Sequence, residues 1–319
     1  MENITLQQAG SMLLEHDNIL ILMHRSPDGD AIGSAYALCM ALRKAGKRAQ
    51  PVCSDPIPPK YGYFTDGTEE QDFEPQFIVS VDLASEALLG TKLEQYAGRV
   101  DLCIDHHGSN TGFARFGSVD PSAAACAQSI AELIALMGIE IDPLIADAVF
   151  TGITTDTGCF RFANTNADTY RAAAEMIDKG ARGNMINRLM FDTKSRSQLE
   201  IERMALSTLK YCLDGRIAAV RITTEMMERS GADESETEAI ASMPRQIEGV
   251  LVGITVKQKP EGVCRISVRA SEEIDASEIC RLFGGGGHKG AAGCTVTGTP
   301  DEAEELLTAA AARIIESRL

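Results

Sequence analysis

None of the nine cysteines is spaced C-x-x-C from another; they are odd in number and scattered from Cys39 to Cys294. This excludes a disulfide-stapled mini-protein and a structural thiolate zinc site, and fits reduced core thiols. No apolar run approaches the roughly 18 residues of a membrane span, so no membrane partner is expected. The start, Met1-Glu2-Asn3, lacks the basic region of a secretory signal, and a cytoplasmic location follows as the expectation. Basic residues are also short, 30 Lys and Arg against 46 Asp and Glu, for a net charge of -16. With no Lys/Arg-rich stretch, a long duplex is an unfavourable partner, and any nucleic acid bound should be short or met by a local patch. Internal repeats and low-complexity tracts are absent too.

What remains is ordinary globular composition, 44% hydrophobic and 24% charged, in 319 residues. That length suits about two domains. An amphipathic helix spans Ile4–Leu14, and the almost wholly apolar Asn18–Met23 reads as a buried parallel strand. A helix over Ala31–Ala45 follows, then strands at Arg48–Cys53, Phe77–Val81 and Val100–Ile104. From Ser122 the pattern turns helical through Ser122–Met137, Pro143–Gly152, Ala167–Lys179 and Ser195–Leu213. Strand character returns at Arg216–Thr223, Val250–Lys257 and Val263–Ala270, with a short strand near Cys294–Thr297 and a closing helix from Pro300. The expected fold is α/β. A mostly parallel-sheet domain over residues 1–194 has helices on both faces, a helical connector covers 195–213, and a smaller α/β domain covers 214–319.

Four clusters carry chemistry, each expected where a strand ends. They are His24-Arg25-Ser26-Pro27-Asp28-Gly29-Asp30, the lone Asp82 after Val79-Ser80-Val81, Asp105-His106-His107, and Thr154-Thr155-Asp156-Thr157-Gly158. Ligands of open α/β sheets gather at the carboxyl ends of strands. Each cluster has a plainer explanation: Asp28 and Asp30 as turn residues capping the next helix, Asp82 as a helix cap, His106 as a core histidine, Asp156 as part of a turn. The plainer explanations do not account for the coincidence of acids and imidazoles on one rim, with four of only five His in such motifs. His16 is the exception and is expected at the surface.

Converging carboxylates repel unless a cation sits among them. Carboxylates mixed with imidazole suit Mn²⁺ better than an all-oxygen Mg²⁺ or Ca²⁺ site. His24, Asp28, Asp30, Asp82, Asp105, His106, His107 and Asp156 are more candidates than one ion needs, so two ions sharing a bridging carboxylate are expected. Such a pair generates a hydroxide and clamps a phosphoryl oxygen. A fifth cluster, Gly284-Gly285-Gly286-Gly287-His288-Lys289, lets backbone approach an anion and is expected to open a helix N-terminus; Arg269 adds a guanidinium nearby.

Together these motifs resemble the DHH phosphoesterases that carry a DHH-associated C-terminal domain, in order and over nearly the whole chain. The stretch Thr155-Asp156-Thr157-Gly158-x-Phe160-Arg161-Phe162 and Asn164-Thr165 looks most like the nanoRNase/pAp-phosphatase branch. One departure is Ala270 after Arg269, where relatives commonly place Ser. The resemblance implies a hydrolase that cleaves short oligoribonucleotides (nanoRNA, dinucleotides) and 3′-phosphoadenosine 5′-phosphate (pAp) to mononucleotides, with two Mn²⁺ ions or Mg²⁺ or Co²⁺ in their place. It implies that His24 and Asp28 hold one ion, that Asp30, His106 and Asp156 hold the other, and that Asp82 bridges them. Asp105 would orient an imidazole, and His107 would face the scissile phosphate. Arg269, Gly286, Gly287 and His288 would grip the substrate from the second domain, making the cleft between domains the active site. A homodimer is compatible. RecJ-like exonuclease activity, cleavage of cyclic or linear dinucleotides, second-family pyrophosphatase activity and a non-enzymatic nucleotide-binding regulatory module remain the alternatives.

Overall fold

The computed structural model describes residues 1–318 and divides into two compact units, Met1–Thr193 and Lys194–Leu319. Among the described residues no helix is long and apolar enough to cross a membrane.

In the first unit the strands are β1 (Glu2–Asn3), β2 (Ile19–Leu22), β3 (Ala49–Val52), β4 (Phe77–Val81), β5 (Leu102–Asp105) and β6 (Phe116–Val119), ordered β1-β6-β5-β4-β2-β3 and parallel throughout. The helices are α1 (Leu6–Glu15), α2 (Gly29–Lys44), α3 (Gly62–Thr65), α4 (Cys126–Leu136), α5 (Pro143–Asp156), α6 (Ala167–Asp178) and α7 (Gly183–Asn187). Strands β2 and β4 are buried along their whole length, as their unbroken apolar runs require, because both faces of the sheet are covered. On one face Ile19, Ile21 and Val79 pack with α1, α2, α4 and α5; on the other Leu20, Leu22 and Ile78 meet Leu83, Leu89 and Leu93, beside the 3₁₀ turns Glu86–Leu88 and Glu94–Tyr96.

Local chemistry sets the helix starts. Thr5 and Gln8 form a reciprocal capping box at α1, Asp28 Oδ1 accepts from the amides of Asp30 and Ala31 at α2, and Asp142 caps α5 just before Pro143. The chain runs from β2 through α2 to β3 on one side and then returns to β4 on the other side of β2. The strand order therefore switches between β2 and β4, where an open sheet leaves a crevice at its carboxyl edge.

In the second unit α8 (Arg196–Leu206) leads to β7 (Lys210–Cys212), β8 (Ile217–Ile222), α9 (Thr224–Ser230), β9 (Val252–Gln258), β10 (Val263–Ala270), α10 (Ala276–Arg281), β11 (Gly286–His288), β12 (Ala291–Thr297) and α11 (Pro300–Arg318). The sheet order is β11-β12-β10-β9-β8-β7, antiparallel except for the β8–β9 pair. Ile254, Ile266 and Val268 pack under α10 and α11, while Val220 and Ile222 pack with Ile201 and Ala205 of α8 on the opposite face.

Several expectations are corrected. Strands β1 and β6 carry no strong apolar pattern and were not anticipated. The residues 195–213 are not helical throughout, since α8 stops at Leu206 and β7 follows. Helix α5 continues past Gly152 to Asp156, so that acid ends a helix rather than a strand. The glycine run opens no helix: Gly286–His288 is an edge strand paired with β12. His16 is half-buried, its ring stacked at 4.3 Å on Phe77.

Candidate metal centre

Three adjacent parallel strands, β2, β4 and β5, end side by side and deliver His24, Asp82 and the Asp105-His106-His107 triplet to one edge. Asp82 leaves β4 with a left-handed backbone, φ 52°, pinned by its amide to the carbonyl of Ile104 at 3.1 Å. A non-glycine residue adopts that conformation at a cost, which the surrounding sheet must hold in place. Helix α2 contributes Asp28 from its N-cap and Asp30 from its first turn, and α5 contributes Asp156 from its last.

These side chains converge in groups whose candidate ligand atoms lie within 4.8 Å of one another: His24 with Asp28 and Asp82, Asp30 with His106 and Asp156, and Asp82 with His106 and His107. His24 Nε2 is 3.8 Å from both Asp28 Oδ1 and Asp82 Oδ2. His106 Nε2 lies 3.4 Å from Asp82 Oδ1, 3.6 Å from Asp156 Oδ2 and 3.8 Å from Asp30 Oδ2. Asp82 thus reaches both neighbouring groups.

The imidazoles are oriented from behind. His24 Nδ1 lies 2.8 Å from the Arg25 carbonyl and His106 Nδ1 lies 3.1 Å from that of Ala123. A carbonyl only accepts, so each Nδ1 donates and each Nε2 is left facing the carboxylates. Asp105 is wholly buried; its Oδ1 is 2.8 Å from His107 Nδ1 and accepts the His106 amide, and Asn110 donates to its Oδ2 at 2.6 Å.

Asp30, 1% exposed, accepts from the amides of Cys126 and Ala127 at the start of α4 and from the Ser34 hydroxyl. Asn110 and this helix terminus went unnoticed in the sequence, because an isolated Asn and an Ala-rich helix start carry no local signal. The plainer explanation of Asp28 is also correct, since it caps α2 while facing His24. The cap reading fails for Asp82, whose turn is capped by Ser85.

The charges are strongly perturbed. Burial, together with the carboxylates of Asp82 and Asp156, pushes Asp30 well above the usual carboxyl range. Burial raises Asp82 as well, against the pull of His106. Asp156 is pushed up to about 6 by burial and by Asp82 and Asp28, although His106 opposes this. Burial alone would depress His24, but Asp28 and Asp82 outweigh it and carry it up to about 9. His106 likewise goes against its burial, up to about 10, through Asp82 and Asp30. Protons hold this cluster together in the absence of another cation.

The donor set fits divalent ions. Asp82 Oδ1 is buried without a hydrogen-bond partner, a costly state for a carboxylate oxygen unless a cation takes the place of that partner. Carboxylate oxygens and Nε2 atoms with Nδ1 already engaged are the ligands that transition ions accept.

The fifth cluster lies in the second unit. Gly287 has φ 145°, and a Cβ there would stand 2.6 Å from the carbonyl of Ala291, so only glycine allows β11 to close on β12 and present His288. Arg269, next to last in β10, lies on the other side of β12, paired in register with Ala291 as His288 is.

A parallel sheet with acids and imidazoles at its switch point, followed by a separate mixed-sheet unit with a glycine-rich edge, defines a phosphoesterase of the DHH class. The DHH family N-terminal domain matches residues 18–153 and the DHHA1 domain matches residues 214–316. The bifunctional oligoribonuclease and PAP phosphatase NrnA of Thermus thermophilus is 36% identical over 286 residues, covering 88% of this chain and 84% of that protein. The protein of the same name from Bacillus subtilis is 25% identical over 299 residues, with coverage of 92% and 93%. The chain belongs to the NrnA family of DHH phosphoesterases. The crystal structure of an exopolyphosphatase-related protein from Bacteroides fragilis superposes with a TM-score of 0.85 at 24% identity, over 96% of this chain and 95% of that one, and shows the same fold.

Proposed function

We propose that the chain hydrolyses short oligoribonucleotides and pAp to mononucleotides, with two Mn²⁺ ions in the cytoplasm. The observation that carries the reading is the convergence of His24, Asp28 and Asp82 beside Asp30, His106 and Asp156, with the Nε2 atoms of His24 and His106 facing the carboxylates and Asp82 Oδ1 without a hydrogen-bond partner. The nine cysteines, all unpaired, favour a reducing compartment. His24 and Asp28 would hold one ion, Asp30, His106 and Asp156 the second, and Asp82 both. When bound, such a pair polarises a phosphoryl oxygen and lowers the pKa of attacking water.

The chain's own groups do the rest. Asp105 locks the His107 ring through Nδ1 and raises its pKa, so His107 Nε2, on a ring 42% exposed, carries a proton to the phosphate oxygens. The Cys126 and Ala127 amides of α4 and the Ser34 hydroxyl hold the Asp30 carboxyl in place. Arg269, Gly286, Gly287 and His288 would bind the substrate's phosphate or terminal nucleotide.

A panel of pAp, dinucleotides, RNA of increasing length, cyclic dinucleotides and pyrophosphate, each with Mn²⁺ and with chelator, tests the reading. Turnover of pAp and dinucleotides that vanishes in chelator is expected. Activity confined to pyrophosphate, or efficiency highest on long RNA rather than on substrates of a few nucleotides, refutes it.

A further inference from the structure

Strand β10 alternates cleanly between two environments. Cys264, Ile266 and Val268 are buried against α10 and α11, whereas Arg265, Ser267 and Arg269 point to the other face and line a cavity of about 370 Å³. Lys257, Thr237 and Glu238 line the same cavity. Its cations differ in their pairing. Lys257 Nζ donates to Glu234 at 2.5 Å and Thr237 at 2.6 Å, and Lys259 takes the other Glu234 oxygen at 2.7 Å. The Arg265 side chain has no hydrogen bond or ion pair among the described residues, and Arg269 donates only to the carbonyl of its neighbour Val268.

In a chain with 46 acidic and 30 basic residues, two unpaired guanidiniums on one strand face stand out, because carboxylates are abundant enough to neutralise them. With no carboxylate beside them, each is left to take an external anion. Residues four apart on a strand are about 13 Å apart, more than one internucleotide step of an extended strand, with the Ser267 hydroxyl midway. Planar guanidiniums grip phosphate oxygens two at a time.

We propose that this face of β10 is a short phosphate track, on which Arg265 holds a phosphate that pAp and dinucleotides do not possess. The inference rests on the short-RNA reading and adds to it a length limit. The next residue on that face, Val263 at the start of β10, carries no charge, so the track serves about one or two nucleotides beyond the terminal pair and then ends.

The test compares wild type, Arg265→Gln and Arg265→Lys on pAp and on RNAs of two, three and five nucleotides, at two salt concentrations. In Arg265→Gln the KM ratio of pentanucleotide to dinucleotide should rise about 3- to 10-fold. The salt slope for the pentanucleotide should fall by about 0.7, one phosphate contact to a single strand. Arg265→Lys should recover most of the loss, since it keeps the charge. An equal KM change on every substrate, or no change on the pentanucleotide, overturns the track. A wild-type protein that cleaves none of these RNAs refutes the functional reading instead. Fluorescence-detected binding of a labelled pentanucleotide to wild type and Arg265→Gln then decides the track alone, with equal affinities overturning it.

Discussion

Gly33→Ala sets two opposed effects against each other, and the structure says which wins. Gly33 lies inside α2, where alanine is about 1 kcal/mol more favourable than glycine. A Cβ at this position would stand 2.4 Å from the carbonyl oxygen of Ala148 and 3.0 Å from the amide nitrogen of Gly152, both backbone atoms of α5. Ordinary contact begins near 3.4 Å, so the helices must separate by about 1 Å, and no side chain can swing aside to prevent it. Overpacking of this kind costs about 1–3 kcal/mol, and a backbone obstacle puts it at the upper end. The net loss is about 1–2 kcal/mol, a fall in Tm of about 2–8 °C for a unit of this size.

The same separation draws Asp30 on α2 away from Asp156 on α5, and misplacement by about 1 Å costs up to 10²-fold. A drop in kcat/KM for pAp of about 10- to 100-fold is therefore expected alongside the lower Tm. Gly10→Ala is the control. The new Cβ there meets only the Met137 and Leu133 side chains, at 3.0 and 3.5 Å, so the melt should stay within about 1 kcal/mol of wild type with normal turnover. A Gly33→Ala protein that melts at or above the wild-type temperature and hydrolyses pAp normally would refute the close-packing argument.

Asp82→Ala should lower kcat by far more than tenfold, because it removes the carboxylate that lies against both His24 and His106; retention of turnover within tenfold, roughly 1.4 kcal/mol of barrier, would disprove the two-ion assignment. His288→Ala should keep its Mn²⁺ content and raise KM for pAp more than it lowers kcat, whereas loss of metal would make His288 a ligand. Asp147→Ala should cost about 2 kcal/mol in thermal unfolding. Asp147 is buried and accepts the Arg182 amide and its guanidinium, but Arg182 is half exposed and rehydrates, which keeps the loss below the 3–5 kcal/mol of a wholly buried pair. With chelator present, stability should fall as pH rises. Asp156 at about 6, His24 at about 9, His106 at about 10 and the raised Asp30 and Asp82 all bind protons more tightly folded than unfolded, so their contribution is complete below the unfolded pKa values and lost through the folded ones. A chelated protein with a higher Tm at pH 8.5 than at pH 6 would contradict this, and added Mn²⁺ should narrow the difference, because ions and protons compete for the same atoms.

The sequence by itself determined the elements that bury an apolar pattern. Phe77–Val81 and Val263–Ala270 begin and end where alternation or unbroken hydrophobicity says they should, because side-chain period and burial are local properties of the chain. It also placed His24, Asp28, Asp30, Asp82 and the Asp105-His106-His107 triplet next to strand ends, since polar residues directly after a buried strand have only the sheet edge to occupy.

Tertiary structure decided the rest. Asp156 reaches the cluster from a helix, which depends on the approach of α5 to α2 at Gly33 and Gly152, a contact between segments more than a hundred residues apart. Which nitrogen each histidine presents was set by the carbonyls of Arg25 and Ala123. The grip on Asp30 came from the first amides of α4, invisible as sequence because every residue has an amide. The glycine run became an edge strand rather than a helix start because β12 offered it a hydrogen-bonding partner, and β-pairing between segments outranks the local preference of small residues. Whether an arginine is paired is likewise a matter of what folds beside it: Arg265 and Arg269 look like any others in the chain, and Glu234 beside them is taken up by Lys257 and Lys259.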